Sequence, residues 1–288
     1  MWAIIVHGGA KDIEPSEEAA NREGCLKALE CGRDILGQGG SAIEAVEAAI
    51  RQLETDPTFN AGYGSALTAD GEIEMCSGLM EGNSFNVGAV AVIKGVRHPI
   101  SVARSMLFDD TILLAGEGAR RYAVEKGLEL CEPAELDTTH KAHLLKRPLS
   151  HDTVGCVALD TTGLLVAGTS TGGIEGALPG RVGDSPQPGC GYYADNRVGG
   201  VALSGDGEEI ARIALASRTM GALEPLAPDA AIRQMLPLVG ALEGEAGVIV
   251  LTPEGEIGWD HNSREFAVAY ATSEKPEPRA YLRKSEET

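Results

Sequence analysis

The chain is short of basic charge, of long apolar runs and of close cysteine pairs, and each shortage removes a class of function. Lys and Arg number 24 against 43 Asp and Glu, a formal net charge of −19. That balance repels phosphate backbones and anionic lipid surfaces, so neither nucleic acid nor membrane is an expected partner. The opening Met1 to His7 has no basic leader and too short an apolar run for a signal peptide or a membrane span, and the expectation is a cytoplasmic protein. Cysteines stand at 25, 31, 76, 131, 156 and 190 with no C-x-x-C pair, so buried free thiols are expected and a structural zinc site is not. After the turn His7-Gly8-Gly9-Ala10 neither G-x-G-x-x-G nor G-x-x-x-x-G-K-[ST] is completed, which leaves a nucleotide site a weak alternative. No internal repeat is visible.

What is present is an ordinary globular composition: 288 residues, 43% of them hydrophobic, enough for a substantial core in one large domain or two small ones. Residues 2–6 read as a buried strand. A helical pattern runs over 16–36 and ends at Gly37-Gln38-Gly39-Gly40. Ser41-Ala42-Ile43-Glu44 has capping-box form and opens a second amphipathic helix, with Ile43, Val46, Ile50 and Leu53 on one face. Two such helices in succession suggest a helical layer on a sheet. An ordered loop follows over 53–64, then short strands at 66–68 and 72–76 joined at Asp70-Gly71, and a strand at 86–93. Segments 99–107 and 117–126 are helical or mixed. Between Cys131 and Asp152 the periodicity fades into polar and basic residues, a surface loop on composition alone and the best linker candidate in the chain.

Beyond the linker, 153–159 and 164–169 read as a hairpin that begins at Thr153, followed by a glycine- and proline-rich loop as far as Gly191. A strand at 201–204, helices over 208–220 and 230–242, a strand at 247–251 and a last strand at 266–271 complete the pattern, with a poorly ordered tail from Ser273. The threonine after the linker carries the chemical interest. Cut before Thr153, the chain would hold a hydroxyl nucleophile and an α-amine in one residue, and an α-amine has an ordinary pKa of about 7.7–8.0, suited to a base near neutral pH. In isolation, Thr153 would be no more than a β-branched strand residue.

HGGA at 7–10, FNAGYGS at 59–65, HDTVG at 151–155, TSTGG at 169–173, PGRVGDSP at 179–186 and SGDGE at 204–208 together resemble the plant-type L-asparaginase/isoaspartyl peptidase family of N-terminal nucleophile hydrolases. The likeness runs almost end to end in the same motif order. It implies an α+β fold, a four-layer αββα sandwich, as a single domain that cleaves itself between Asp152 and Thr153 into an α chain (1–152) and a β chain (153–288). Thr153 would be the nucleophile and Thr171 the family's second threonine beside it, able to hydrogen-bond to it. Ser204 stands where the family more often has a third threonine. Arg181 would take the substrate's α-carboxylate and Asp184 its α-amine, although residues three apart could equally form a local salt bridge. Oxyanion donors would come from Asn60 and from Ser204-Gly205, with Gly173, Gly205 and Gly207 letting main chain approach the substrate. The loop resembles a sodium-binding loop whose ligands are the backbone carbonyls of Leu53, Glu54, Asp56, Phe59, Ala61 and Tyr63; catalysis itself needs no cofactor. The implied activity is hydrolysis of β-aspartyl dipeptides and of the side-chain amide of L-asparagine by a homodimer of αβ units. Glycosylasparaginase is the sister alternative, favoured by the HDT triplet but not by HGGA or Thr171-Gly172-Gly173. A metabolite-binding protein that keeps the pocket and never matures is the non-enzymatic alternative.

Overall fold

A computed structural model describes residues 1–136 and 152–287, apart from the side chains of Pro133 and Ala134. Most of the expected linker, 137–151 with His151, lies outside the described residues. In chain order the elements are β1 (Ala3–Lys11), α1 (Glu18–Gly37), α2 (Ala42–Thr55), β2 (Met75–Glu81), β3 (Val87–Ile93), α3 (Pro99–Met106), β4 (Leu113–Ala115), α4 (Gly116–Glu125) and α5 (Pro133–Leu136). The second half adds β5 (Val154–Leu159), β6 (Leu165–Thr171), β7 (Tyr192–Asp195), β8 (Gly199–Gly205), α6 (Gly207–Ile213), α7 (Leu215–Leu223), α8 (Pro228–Gly240), β9 (Ala246–Leu251), β10 (Ile257–His261), β11 (Glu265–Thr272) and β12 (Arg279–Tyr281).

The strands form one eight-stranded sheet in the order β12-β11-β1-β5-β6-β2-β3-β4 and one four-stranded sheet in the order β10-β9-β8-β7. Side-chain alternation tells which surface each strand face meets. In β1, Ile4 and Val6 join one apolar cluster with Ala28 and Leu29 of α1 and Val46 and Ile50 of α2. Their neighbours Ala3 and Ile5 point the other way, into a cluster that also holds Val157 and Leu165 of the large sheet and Ala202, Ile249 and Leu251 of the small one. The small sheet's opposite face, with Val201, Leu203, Val248 and Val250, packs on Leu215 of α7 and Ile232 of α8. Both sheets are therefore apolar on both faces, face each other, and are covered on the outside by helices, a mixed α/β architecture.

Local chemistry explains the start of α2. Ser41 accepts from the Glu44 N–H and Glu44 returns the bond to the Ser41 N–H, completing the expected capping box, while Asp160 in the β5–β6 turn accepts from the Ala42 N–H at 2.9 Å. Caps of this kind contribute about 1 kcal/mol each. The apolar face expected for α2 is realised at Val46, Ile50 and Leu53, all fully buried. Among the described residues no helix is long and apolar enough to cross a membrane.

Several expectations need correction. No strand pair forms over 66–76. The Asp70-Gly71 turn exists, closed by Thr68 N–H to Glu72 O at 2.9 Å, but Ala69 N–H donates instead to Ala177 O at 2.8 Å and Ala66 N–H to Asn60 Oδ1 at 2.8 Å. The segment is tied to the glycine loop, and a strand begins only at Met75. The single helix over 208–220 is two, broken at Ala214 (φ 50°, ψ 56°), because the second helix's first N–H groups, at Ala216 and Ser217, donate to Cys190 and Gly189 of that loop. The tail is ordered: Arg279–Tyr281 pairs with β11, Leu282 is fully buried and Arg283 reaches Glu18 and Glu265. β4, β7 and β10 add strands that the periodicity did not reveal.

Candidate active site

Three hydroxyl residues meet where the two sheets face each other, and strand geometry puts them there. Gly155 pairs with Thr169 across β5 and β6, so one step beyond the ladder sets Thr153 opposite Thr171. Thr153 shares its face with Val157, Thr171 with Ala167, and Ser204 of β8 with Ala202, and the valine and both alanines line the inter-sheet core. Thr153, Thr171 and Ser204 are consequently all buried at one end of that core.

The hydrogen bonds converge on the peptide bond before Thr153. The Asp152 carbonyl accepts from Thr171 Oγ1 at 3.0 Å and from Asn60 Nδ2 at 3.2 Å. Both donor directions are fixed by their other partners. Thr171 Oγ1 already accepts from Gly173 N–H at 3.1 Å, and Asn60 turns its oxygen to the Ala66 N–H at 2.8 Å, leaving its amino group for Asp152 and for Gly173 O. On the other side of the bond, Thr153 N–H donates to Ser204 Oγ at 3.2 Å, and Ser204 also accepts from Ala10 N–H at 3.0 Å. The Thr153 hydroxyl lies 3.0 Å from Ser185 Oγ. Carbonyl, amide nitrogen and hydroxyl each have a dedicated partner, an arrangement that can stabilise negative charge on the Asp152 oxygen while Thr153 Oγ attacks.

In the uncut chain two partnerships stand that the sequence expectation, which concerned the matured site, did not include. The Thr171 hydroxyl is spent on the Asp152 carbonyl rather than on the Thr153 hydroxyl, whose partner is Ser185. Ser204 faces the amide nitrogen and accepts from it, so in this chain the carbonyl's donors are Asn60 and Thr171. Sequence reasoning passed over Ser185, although it sits inside the quoted PGRVGDSP stretch, and Lys11, which directly follows HGGA.

His7 lies on the same inner face of β1, fully buried, with its ring 5.2 Å from that of Phe266. Burial lowers its pKa to about 3, only partly opposed by the Thr153 backbone, so the imidazole is neutral. A Cβ at Gly155 would lie 2.2 Å from His7 Nε2, which is why glycine follows so soon after the threonine.

Arg181 and Asp184 do not form the local salt bridge. Arg181 holds Glu208 in a two-pronged contact, Nε to Oε1 at 2.8 Å and Nη2 to Oε2 at 2.5 Å, the geometry guanidinium favours for any carboxylate. Asp184 is buried with Oδ2 unbonded. Burial pushes its pKa up to about 7, against the pull of its own and the Ser185 N–H groups and of Arg181. Gly207 floors both: a Cβ there would come within 2.8 Å of Asp184 Oδ1 and 3.1 Å of Arg181 Nη2. Gly205 (φ 145°) backs onto Glu245 O, and Gly173 (φ 80°) lies between Thr171 and the Asn60 amide.

The loop after α2 carries Asn60. Glu54 turns inward, accepting from Ile100 N–H at 3.0 Å and Ser170 Oγ at 2.7 Å, with His98 Nδ1 3.1 Å away. Its side chain is thereby committed within the fold and turned away from the loop's backbone oxygens. Carbonyl oxygens suit a hard cation, and those of Glu54 and Phe59 lie where a Cβ at Gly62 or Gly64 would intrude. Among the described residues no cluster of three or more His, Cys, Asp or Glu side chains offers a metal site.

Comparison with known proteins covers the same span. The family model described as asparaginase matches residues 1–151 and 140–278. A probable isoaspartyl peptidase/L-asparaginase of Drosophila pseudoobscura pseudoobscura is 38% identical over 93% of this chain and 92% of its own length. The isoaspartyl peptidase/L-asparaginase of Rattus norvegicus is 39% identical over 88% of this chain and 81% of its own. A plant-type L-asparaginase of Pyrobaculum calidifontis is 37% identical over 93% of this chain and 96% of its own. With the motifs, the hydroxyl cluster and these matches in agreement, the chain belongs to the asparaginase family.

Proposed function

We propose that this chain is a self-processing amidohydrolase that cleaves β-aspartyl dipeptides and the side-chain amide of L-asparagine, with Thr153 as nucleophile. The observation that carries the reading is the Asp152 carbonyl gripped by Asn60 and Thr171 directly before a buried threonine. In the processing step Thr153 Oγ bonds to the Asp152 carbonyl carbon, the C–N bond breaks, and the hydroxyl proton passes to the departing nitrogen. Water then hydrolyses the ester, leaving an Asp152 carboxylate and a free Thr153 amine. That amine keeps Ser204 Oγ as a neighbour and becomes the base.

In turnover the amine accepts the hydroxyl proton as Oγ attacks the substrate's side-chain carbonyl. The amide C–N bond breaks and the leaving nitrogen takes the proton, departing as ammonia or an amino acid. Water, deprotonated by the amine, opens the aspartyl ester and restores the hydroxyl. Arg181 would exchange Glu208 for the substrate's carboxylate, and Asp184 would receive its ammonium.

The two facing sheets with helices outside support a four-layer αββα sandwich, one domain built from an α chain (1–152) and a β chain (153–288). The family resemblance supports a dimer of αβ units and a sodium ion held by backbone carbonyls of the 53–63 loop. Six free thiols fit a cytoplasmic place. The direct test is intact mass of the purified protein with assays on β-aspartyl-leucine, L-asparagine and a glycosylated asparagine. A fragment beginning at Thr153 and activity on the first two are expected; a permanently whole chain, or activity on the glycosylated substrate alone, would defeat the reading.

Asp184 gives this function a pH signature. A carboxyl raised to about 7 is charged above that pH and neutral below it, so its pairing with a substrate ammonium is present at higher pH and lost as pH falls through about 7. The expected result is that protonation of Asp184 adds about a tenfold-per-unit decline in kcat/KM below about pH 7, on top of the decline in both kcat and kcat/KM that protonation of the Thr153 amine brings. Asp184→Asn should raise KM and make that limb shallower by the Asp184 share, leaving the part due to the amine. A limb as steep in the Asn variant as in wild type would show that Asp184 contributes none of it.

A further inference from the structure

The residue before the cleaved bond carries a carboxylate, and the fold buries it against a lysine. Asp152 pairs with Lys11 Nζ, with side chains only 3% and 4% exposed respectively. Lys11 also lies 3.4 Å from Thr58 O and 5.6 Å from the centre of the Phe59 ring. It ends β1, just after the bulge between His7 and Ala10, and that bulge supplies a second wall. Gly9 has φ 108°, and a Cβ there would stand 1.4 Å from Asp152 Oδ1. The same few residues touch the other side of the bond through Ala10 N–H, which donates to the Ser204 hydroxyl that receives Thr153 N–H.

Such a pair is a poor way to gain stability, because removing two charges from water costs about as much as their attraction returns. What it supplies is direction. A carboxylate held on one side by an ammonium and walled on the other by backbone cannot rotate, and only the Cβ and Cα of the same residue separate it from the carbonyl that is attacked. We propose that Lys11, with Gly9, forms a cradle for the Asp152 carboxylate and is a positioning residue for self-cleavage, holding the Asp152 carbonyl carbon in line with Thr153 Oγ and its oxygen on Asn60 and Thr171. This rests on the reading that Thr153 cleaves the chain. Lys11 does not touch the reacting atoms; it acts through Asp152.

The cradle makes a pH signature that mere stability would not. Among the described residues, Cys25 on α1 interacts with both Lys11 and Asp152, and with Asp56 beyond α2, while His7 lies two strand positions before Gly9 on β1. Burial holds His7 at about 3 and pushes Cys25 up to about 12, so neither changes charge between mildly acid and mildly alkaline pH. Removing Lys11 takes away the ammonium that this buried carboxylate pairs with, and burial then favours its neutral form.

The test follows cleavage in freshly synthesised full-length chain by denaturing electrophoresis and intact mass, comparing wild type, Lys11→Met, Asp152→Asn and the double variant. Melting temperatures are taken in a Thr153→Ala background, so that each chain is compared whole. Lys11→Met is expected to slow cleavage about 10- to 100-fold near pH 8, the range that small misplacements of reacting atoms produce, and to recover part of the rate as pH falls. In the Asp152→Asn background the same substitution should cost less than about threefold, since no carboxylate remains to be held. Wild-type speed and an unchanged pH profile in Lys11→Met would overturn the proposal, as would an equally large loss in the Asn background. A wild-type chain that never splits at 152/153 would overturn the underlying reading and the proposal with it, an outcome distinct from a wild type that splits while Lys11→Met keeps pace.

Discussion

A Thr153→Ala chain is expected to stay whole indefinitely and to show no hydrolysis above background, a loss on the order of 10⁶-fold, as when the nucleophile of a hydrolase is removed. The size follows from two roles lost together. In the proposed mechanism the hydroxyl is the attacking group in processing and in turnover, and without processing there is no α-amine to act as base. The fold should survive, because Thr153 sits before the β5 ladder and its hydroxyl is bonded to Ser185, in the loop after β6, rather than to a strand or helix; the cost in stability should be about 1 kcal/mol. Thr153→Ser separates nucleophile from scaffold. It keeps the hydroxyl but loses the methyl that restricts χ1, so cleavage should persist at a reduced rate. Electrophoresis over days, intact mass and a β-aspartyl-leucine assay read all three chains. Splitting at 152/153 in Thr153→Ala would mean that another group, or another protein, makes the cut.

Much of the site was legible in the sequence because its residues lie in short ordered motifs whose types match the chemistry. Thr153, Thr171, Ser204 and Asn60 meet, and Arg181, Asp184 and Gly207 form a second cluster beside Ser185. What was not legible is which hydroxyl faces which atom. Thr171 donates to Asp152 and Ser204 accepts from Thr153 because β6 and β8 lie in different sheets on opposite sides of the bond, and a linear motif does not carry that. The fold shows the same limit. Helices with strong caps and apolar faces, such as α2, were readable from local pattern. The strands at 66–76 fail not for want of propensity but because distant partners, Ala177 and Asn60, take their N–H groups. Ala214 interrupts a sequence with no glycine or proline to mark the break, because Gly189 and Cys190 capture the next turn. The tail looked too charged to order, yet those charges are its anchors: Arg283 on Glu18 and Glu265.

Thr171→Val should produce the second largest loss, a fall in self-cleavage of about 10²- to 10³-fold, the usual effect of deleting one oxyanion donor. Valine keeps the shape and the strand propensity of β6, so what disappears is one hydrogen bond to the Asp152 carbonyl, 3.0 Å long in the uncut chain, and the acceptor for Gly173 N–H. Thr171→Ser, which restores the hydroxyl, should stay within about tenfold of wild type. Asn60→Asp is the complementary change: it retains an acceptor for Ala66 N–H but turns a carboxylate oxygen toward the carbonyl where a donor stood. Because both donors serve one oxygen, the double variant should lose less than the product of the single losses. The effect should extend to turnover. On the proposed mechanism the ester formed in self-cleavage and the ester formed from substrate share Thr153 Oγ, so the carbon attacked comes to the same place and its oxygen is expected to meet the same donors. Thr171→Val allowed to mature to completion should therefore also show a depressed kcat with KM little changed. A normal kcat in the matured variant would mean that substrate carbonyls are polarised by different groups from those that polarise Asp152, and that processing and turnover use separate halves of the site.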